Sequence, residues 1–254
     1  MDITPTFSEE KMKREVIVVA NAYNKERLAR PGGQQALLPI VAAAGADGIE
    51  IRRELFDDAA LRQLSETGAT IREHGLIAFY SVPDTLFNAG GALNPNLARF
   101  FNEAEQLGAR QLKFSLGHFS PGTDCQQLRA IVDASDVRLL VENDQTDCGR
   151  MAALEAWFED GGTAYSGMTF DTGNWLWVSE NPLEAAARLG KFVSYIHVKA
   201  VKEGRAVAPD GADDLWRRAL AALPDNVPRG IEFPLEGSDP IAVTRHYVDL
   251  LREV

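Results

Sequence analysis

Ser166-Gly-Met-Thr-Phe-Asp-Thr-Gly-Asn-Trp-Leu-Trp177 is the stretch from which the fold of this chain is predicted. Its first part is an apolar-leaning run of strand length that ends in a carboxylate, Asp171. A loop with a glycine, an asparagine and two tryptophans follows. A strand that carries an acid at its C-terminal end and then opens into a polar and aromatic loop is typical of β/α barrels. The stretch therefore predicts a barrel strand together with part of a site.

Three other short apolar runs end in a polar side chain in the same way. Residues 138–142 end in Glu142, residues 193–197 end in His197, and residues 229–232 end in Glu232. Successive strands of a barrel are neighbours, so the ends of strands five to eight share one rim. We therefore expect these three side chains and Asp171 to converge in the folded protein.

The remainder of the chain alternates between strand and helix patterns. Predicted strands cover residues 15–20, 48–52, 76–81, 111–115, 138–142, 166–171, 193–197 and 229–233. Predicted helices cover residues 34–44, 57–74, 95–107, 124–134, 147–159, 182–189, 213–223 and 239–252. Eight units of roughly 30 residues each predict an α/β fold, a single (β/α)8 TIM barrel. We expect residues 1–254 to form one domain, with residues 1–14 as a loosely ordered lead-in.

An open Rossmann-type sheet is the main alternative to a closed barrel. That fold needs a glycine-rich phosphate-binding turn after an early strand. The first turn here, Asn21-Ala-Tyr-Asn-Lys25, contains no glycine. The sequence therefore favours the barrel.

Composition limits the classes of partner. The formal net charge is −11 over 254 residues, and this argues against nucleic acid, whose phosphates are bound by excess lysine and arginine. No window approaches the roughly 18 apolar residues of a membrane span, and the amino terminus lacks the pattern of a secretion signal. The two cysteines, Cys125 and Cys148, have no metal-binding or redox spacing. We expect a cytoplasmic protein with free thiols.

The four strand-end residues predict a metal site. Three carboxylates and one imidazole, without a thiolate, suit a hard or borderline divalent cation. Each residue alone also fits a structural role, such as an ion pair or a buried histidine. Carboxylates that converge without a cation repel one another, so a bound ion is the simplest interpretation of all four together. We expect one divalent metal ion at Glu142, Asp171, His197 and Glu232, with Mn²⁺ favoured and Mg²⁺, Co²⁺ or Zn²⁺ as alternatives.

The motifs around these residues are Val141-Glu-Asn, Phe170-Asp-Thr-Gly, Ile196-His-Val-Lys and Gly230-Ile-Glu. They resemble those of the xylose-isomerase-like TIM-barrel superfamily, also called the AP endonuclease family 2 type. The superfamily includes ketose 3-epimerases, hydroxypyruvate isomerase, inosose and dehydroshikimate dehydratases, and endonuclease IV. The resemblance implies one divalent ion at the four positions, with two glutamates as the acid–base pair.

By this resemblance we expect an isomerase or epimerase of a sugar, a keto-sugar acid or a related polyol derivative. Glu142 and Glu232 would transfer a proton through a metal-stabilised enediolate. The chain departs from the ketose 3-epimerase pattern at three positions, where a glutamate, a histidine and an arginine of that pattern are replaced. Cys148, Asn174 and Glu203 stand there instead. The resemblance thus covers the metal-binding part of the motif better than the sugar-recognition part.

Further polar and aromatic residues near predicted strand ends are candidates for substrate binding. Lysine and arginine side chains among them could hold a substrate carboxylate or phosphate, or pair with acids around the rim. Trp175 and Trp177 could pack on a sugar or close their loop over the core, and we expect one of the two to lie at the site. The predicted substrate-binding residues are Lys199, Asn174, Arg52, Lys113, Glu50, Trp175 and Arg205.

Several functions stay open at this point. A metal-dependent dehydratase or lyase acting on a β-hydroxyketone would use the same metal and base. A non-catalytic barrel that binds a small molecule is a second alternative. A nuclease with a three-metal cluster is disfavoured because the chain holds only four histidines. We expect a small-molecule sugar or sugar-acid substrate, no nucleic-acid or membrane partner, and a homodimer as one arrangement open to such a barrel.

Overall fold

Eight parallel strands close into a barrel in the computed structural model, which describes residues 13–211 and 213–254. Each strand pairs with its neighbours in chain order, and the last barrel strand pairs with the first to close the barrel. The predicted (β/α)8 barrel is therefore confirmed. The barrel strands are β1 (Val16–Val19), β2 (Gly48–Arg52), β3 (Ile77–Phe87), β4 (Ala109–Gly117), β5 (Arg138–Glu142), β6 (Gly167–Asp171), β7 (Val193–Val198) and β10 (Arg229–Ile231).

Helices alternate with these strands around the barrel. They are α1 (Lys25–Leu28), α2 (Leu38–Ala43), α3 (Asp58–Leu61), α4 (Leu64–Glu73), α5 (Leu97–Leu107), α6 (Gln126–Asp133), α7 (Met151–Glu159), α8 (Asn174–Trp177), α9 (Pro182–Leu189), α10 (Leu215–Ala221) and α11 (Pro240–Glu253). Across residues 13–211 and 213–254, no helix combines the length and apolar character that a membrane crossing requires. The predicted lead-in, residues 1–14, lies outside the described residues except for its last two, and the one-domain organisation stays a prediction.

A layer of apolar side chains fills the barrel interior. Ile17, Phe79, Leu140 and Tyr195 form a buried cluster of their own. They come from alternate strands, β1, β3, β5 and β7, as the layered packing of such barrels requires. The rings of Phe79 and Tyr195 meet edge to face, with centroids 4.9 Å apart. This layer closes the barrel, so the interior is a packed core and not a channel.

The short helices α1 and α8 were not predicted, and α2 and α7 begin later than the predicted helices 34–44 and 147–159. Three further elements also differ from the sequence prediction. The predicted helix 57–74 is two helices, α3 and α4, because the chain leaves helical geometry at Gln63. Strand β3 continues to Phe87, past Pro83, with a register shift between Ser81 and Thr85. A short antiparallel hairpin, β8 (Ala200–Lys202) and β9 (Arg205–Val207), follows β7 and was not predicted.

Positive backbone angles at the turn explain the hairpin. Glu203 has φ +52° and Gly204 has φ +71°. Two central residues with positive φ form the tight turn that matches the twist of paired strands. An asparagine or aspartate before the glycine would have signalled this turn, whereas glutamate is uncommon there.

Asp47 ties together the N-terminal end of the barrel. Its Oδ2 accepts hydrogen bonds from the Val16 backbone N–H at 2.9 Å and from Arg252 Nη2 at 2.6 Å. Its Oδ1 accepts one from Lys13 Nζ at 3.0 Å. Burial raises the pKa of Asp47, but these hydrogen bonds outweigh burial and leave the pKa below its ordinary value. The carboxylate therefore joins the first strand, the loop before β2 and the last helix.

Changing Asp47 to Asn is expected to lower the free energy of unfolding by about 1–3 kcal/mol at pH 7, because hydrogen bonds to a charged acceptor are lost. A lowered folded-state pKa contributes stability that is present above about pH 4 and is lost as the pH falls through the folded pKa. The difference in the free energy of unfolding between the variant and the native protein should thus shrink below pH 4. Urea unfolding of both proteins at pH 7 and pH 3.5 measures this difference. Asp249→Asn, on the exposed side of α11, serves as the control.

Candidate metal centre

The barrel brings the four predicted ligands together at the C-terminal ends of its strands. Glu142 ends β5, Asp171 ends β6, His197 lies one residue before the end of β7, and Glu232 directly follows β10. One ligand atom from each residue lies within 4.8 Å of all the others. Asp171 and His197 are fully buried. The predicted convergence is observed, and the role of the four residues as ligands stays a prediction.

Asp171 is oriented by the backbone that follows it. Its Oδ1 accepts hydrogen bonds from the backbone N–H groups of Gly173, at 2.8 Å, and Asn174, at 2.9 Å. The Asn143 side chain donates to the Asp171 carbonyl at 3.0 Å and accepts from the Asp171 N–H at 2.8 Å. With Oδ1 held in this way, Oδ2 is left to face the other three side chains.

Two buried lysines lie among the acids. Lys113 Nζ donates to Glu142 Oε2 at 2.7 Å and lies 3.4 Å from Glu50 Oε1. Lys199 Nζ donates to Glu232 Oε2 at 2.8 Å and lies 2.8 Å from Asp171 Oδ2, where it neutralises charge without hydrogen-bond alignment. Gly173 leaves room for this lysine, since a Cβ there would lie 2.7 Å from Lys199 Cγ.

Arg52 provides the third cation. Its Nη1 lies 3.3 Å from Glu232 Oε1 and 3.5 Å from Glu50 Oε1, while its Nε donates to Glu54 Oε1 at 2.8 Å. The sequence left two roles open for these cations, binding of a substrate anion or ion pairing with acids of the rim. The structure shows ion pairing for Arg52 and for the two buried lysines. Four carboxylates in and beneath the site thus face three fixed cations.

These charges set the pKa values in the site. Burial raises the pKa of Asp171 to about 7; the ammonium of Lys199 opposes the shift, and the carboxylates of Glu232 and Glu142 add to it. Burial also raises the pKa of Glu232, but Lys199 and His197 outweigh it and hold that pKa well below its usual range. Burial lowers the pKa of His197, yet the carboxylates of Glu50, Glu232 and Glu142 raise that pKa well above its usual value.

The donor atoms fit a divalent cation. Glu142 Oε1, Asp171 Oδ2 and His197 Nδ1 are all buried, and within the described residues none of them has a hydrogen-bond partner. Glu142 Oε1 and His197 Nδ1 lie 2.8 Å apart, and Nδ1 lies 3.2 Å from Glu232 Oε2. Asp171 Oδ2 also has the Lys199 ammonium at 2.8 Å, but neither this contact nor the one between Glu142 and His197 has hydrogen-bond alignment, and buried polar atoms without aligned partners are costly. A cation held by two or three carboxylate oxygens and one imidazole nitrogen would satisfy them, and this donor set suits Mn²⁺, Mg²⁺, Co²⁺ or Zn²⁺.

A cavity of about 510 Å³ opens onto the cluster. Glu142 and Glu232 line it, as do three of the predicted substrate-binding residues, Arg52, Asn174 and Lys199. The structure therefore places these three where a substrate bound at the cluster would contact them.

The other predicted substrate-binding residues lie elsewhere. Glu50 and Lys113 are buried beneath the cluster, away from the cavity lining. Trp175 is fully buried against Phe170, with ring centroids 5.3 Å apart, so it closes its loop over the core and does not face the cavity. Arg205 is exposed on β9, and its neighbour Ala206 lines the cavity in its place.

The prediction missed several residues that line the cavity. Asp144 follows the proposed ligand Glu142 by two residues, and Ser115 ended a predicted strand, so position alone could have indicated both. Ala206, a further lining residue, comes from the hairpin that was not predicted. Of the two tryptophans that the sequence analysis names, Trp177 lies near the site, with its ring centroid 5.8 Å from Lys199 Nζ.

No family model matches this sequence, and no curated protein matches it significantly. Solved structures do resemble it. A D-allulose 3-epimerase from Methylomonas sp., in complex with D-allulose, superposes with a TM-score of 0.69 at 14% identity, covering 95% of this chain and 97% of that one. An L-ribulose 3-epimerase gives a TM-score of 0.66 at 16% identity, covering 94% of this chain and 95% of that one.

A xylose isomerase domain protein from Alicyclobacillus acidocaldarius subsp. acidocaldarius also resembles the chain. Its TM-score is 0.63 at 15% identity, and the match covers 94% of this chain and 97% of that one. The predicted resemblance to xylose-isomerase-like TIM barrels is thereby confirmed at the level of the fold.

Proposed function

We propose that this protein is a divalent-metal-dependent isomerase or epimerase, which acts on a sugar or related polyol derivative by proton transfer next to a carbonyl group. The observation that carries the proposal is the convergence of Glu142, Asp171, His197 and Glu232 within 4.8 Å at the C-terminal rim of a barrel. The likeness of the fold to two ketose 3-epimerases supports the same class of reaction.

Glu142 and Glu232 are the proposed acid–base pair. A divalent ion bound at the cluster would draw electron density from a substrate carbonyl and so acidify the adjacent C–H group. Both carboxylates line the cavity, and each has an ammonium neighbour, Lys113 for Glu142 and Lys199 for Glu232. These cations favour the ionised carboxylate that a base needs. One carboxylate accepts the C–H proton, and in an epimerase the other, once protonated, returns a proton to the opposite face of the carbon.

The charges of the cavity support a neutral substrate. Its cations, Arg52 and Lys199, each contact at least two carboxylates already. The carboxylates that line it are Glu142, Asp144 and Glu232, and uncharged amides and a hydroxyl group complete the polar lining. A phosphate or carboxylate on the substrate would meet this acidic surface without an unpaired cation among the described lining residues. Amide and hydroxyl groups suit the hydroxyls of a polyol.

We therefore expect neutral ketoses to be better substrates than their phosphate esters by at least about tenfold, because juxtaposed like charges cost several kcal/mol. The measurement is deuterium incorporation from D₂O, followed by NMR, for ketopentoses and ketohexoses and their terminal phosphates, with Mn²⁺-loaded protein. Inorganic phosphate added to the neutral ketose controls for removal of the metal. Faster exchange into the phosphate esters would contradict a neutral substrate.

The ion pairs inside the site favour one second candidate, a barrel that binds a small molecule without chemistry. Lys113, Lys199 and Arg52 compensate most of the carboxylate charge without any ion. Such a protein would bind a polyol but would leave its C–H groups unexchanged in D₂O. The exchange measurement thus separates the two candidates, and product analysis separates an isomerase from a dehydratase.

A further inference from the structure

Glu50 is a buried carboxylate that the proposed reaction does not use. It lies on β2, on the opposite side of the barrel from the four proposed ligands, and its side chain is 1% exposed. It does not line the cavity, so its placement does not support the substrate contact predicted from the sequence. A carboxylate taken out of water needs strong compensation. Glu50 receives it from His197 Nε2, at 2.7 Å, from Lys113 Nζ, at 3.4 Å, and from Arg52 Nη1, at 3.5 Å.

The two nitrogens of His197 have different partners. Nε2 points to Glu50 Oε2, whereas Nδ1 points to the proposed ligand atoms of Glu142 and Glu232, at 2.8 and 3.2 Å. An imidazole binds a metal through a nitrogen lone pair, and a hydrogen bond from its other N–H fixes which nitrogen that is. We infer that Glu50 is a positioning residue, which accepts the Nε2–H of His197 and so presents Nδ1 to the metal. This inference rests on the metal site of the proposed function.

Two neighbours pack against the imidazole ring of His197. Tyr195 packs edge to face on the His197 ring, with centroids 4.8 Å apart. On the other strand, a Cβ at Gly230 would lie 2.9 Å from His197 Cδ2, so the backbone of β10 also lies against the ring. A flipped ring would fit the same slot, but it would put Cε1 against Glu50 and Cδ2 against the ligands. The observed orientation places Nε2 next to the Glu50 carboxylate and Nδ1 next to the proposed ligand atoms of Glu142 and Glu232.

Glu50 also acts on a second proposed ligand through Lys113. That lysine lies between Glu50 Oε1 and Glu142 Oε2. One carboxylate from β2 thereby supports the histidine of β7 directly and the glutamate of β5 through a cation. Loss of such an outer partner typically weakens metal binding by about 10–100-fold.

Zinc binding tests this inference without reference to sugar chemistry. The dissociation constant of Zn²⁺ is measured by competition with a chromogenic chelator for the native protein and for E50A, E50Q and E54Q. Long-range ¹H–¹⁵N NMR spectra of the zinc-loaded proteins identify the metal-bound nitrogen of His197. E54Q is the matched control, because Glu54 also contacts Arg52 but has no contact with His197 among the described residues.

We expect zinc on Nδ1, with a proton retained on Nε2, in the native protein. E50A should bind Zn²⁺ about 10–100-fold more weakly and give a mixed or altered ring spectrum. E50Q should lose less, because its amide oxygen still accepts the Nε2–H, and E54Q should match the native protein. If E50A does not fold, as checked by circular dichroism, the ring spectrum and affinity of E50Q carry the test.

Two outcomes would overturn the positioning role alone. These are zinc bound through Nε2 in the native protein, or unchanged affinity and ring spectrum in the folded Glu50 variants. A native protein that binds no zinc and no other divalent ion would overturn the metal site of the proposed function together with this inference. The two failures are thus distinguishable.

Discussion

Asp171→Ala is expected to abolish stoichiometric metal binding. The native protein should hold about one divalent ion per chain after incubation with Mn²⁺, Mg²⁺ or Zn²⁺. The variant loses a carboxylate whose Oδ2 is buried, lacks a hydrogen-bond partner among the described residues and faces the other ligand atoms. Removing a ligand should raise the dissociation constant beyond the about 10–100-fold typical of outer partners. Elemental analysis of gel-filtered protein measures the metal content, and Glu142→Ala should behave in the same way.

Glu103→Gln is the matched control for this experiment. Glu103 is also a buried carboxylate, but it pairs with Arg53 at 2.7 Å and with the Tyr80 hydroxyl at 2.9 Å, away from the cluster. Its change to Gln should leave one ion per chain. The Asp171 variant should stay folded, because Lys199 keeps Glu232 as a partner. Full metal occupancy in folded Asp171→Ala protein would show that the four residues are not the ligands.

The second large effect is expected for Glu232→Gln. The amide keeps an oxygen that can contact a metal, but it cannot accept a proton from carbon. We expect solvent deuterium incorporation into a substrate ketose to fall by about 10²–10⁴-fold, the range typical of a lost general base or acid. NMR of the sugar in D₂O measures the exchange, and elemental analysis of the same sample reports the metal.

Glu54→Gln tests whether this loss is specific. It removes one negative charge next to Arg52, which also contacts Glu232, but it leaves both proposed acid–base residues in place. Exchange should persist in this control. If Glu232→Gln protein retains its metal and still exchanges the substrate proton at the native rate, Glu232 is not part of the acid–base pair.

The barrel was predictable because its local signals agree with its global fold. Strands β2 and β5 and helix α9 have the predicted bounds. Helix α9 has both of its predicted start signals, since the Asn181 side chain caps the Leu183 N–H and Pro182 follows. The convergence of the four proposed ligands was predictable for a geometric reason, because adjacent parallel strands place their C-terminal residues on one rim.

Roles that depend on side-chain direction were not predictable. The sequence places Glu50 near a strand end, but only closure of the barrel brings it to His197, which lies on the far side of the barrel. Likewise, a pattern of charges does not distinguish an anion-binding lysine from an ion-paired one, and Lys113 and Lys199 are ion-paired. Trp175 and Trp177 are two residues apart on the short helix α8, and the turn of that helix alone decides that the first is buried in the core.

The two halves of the chain contribute different residues to the candidate site. All four proposed ligands come from β5, β6, β7 and the residue after β10, whereas the first four strands and the turns after them contribute Asn21, Ala22, Arg52 and Ser115 to the cavity wall. Substitutions after the early strands can therefore reshape the space for a substrate while the ligands stay in place. Because Glu50 and Lys113 also come from this early half, only changes at its cavity-lining positions would alter the fit of a substrate and leave the proposed metal site intact.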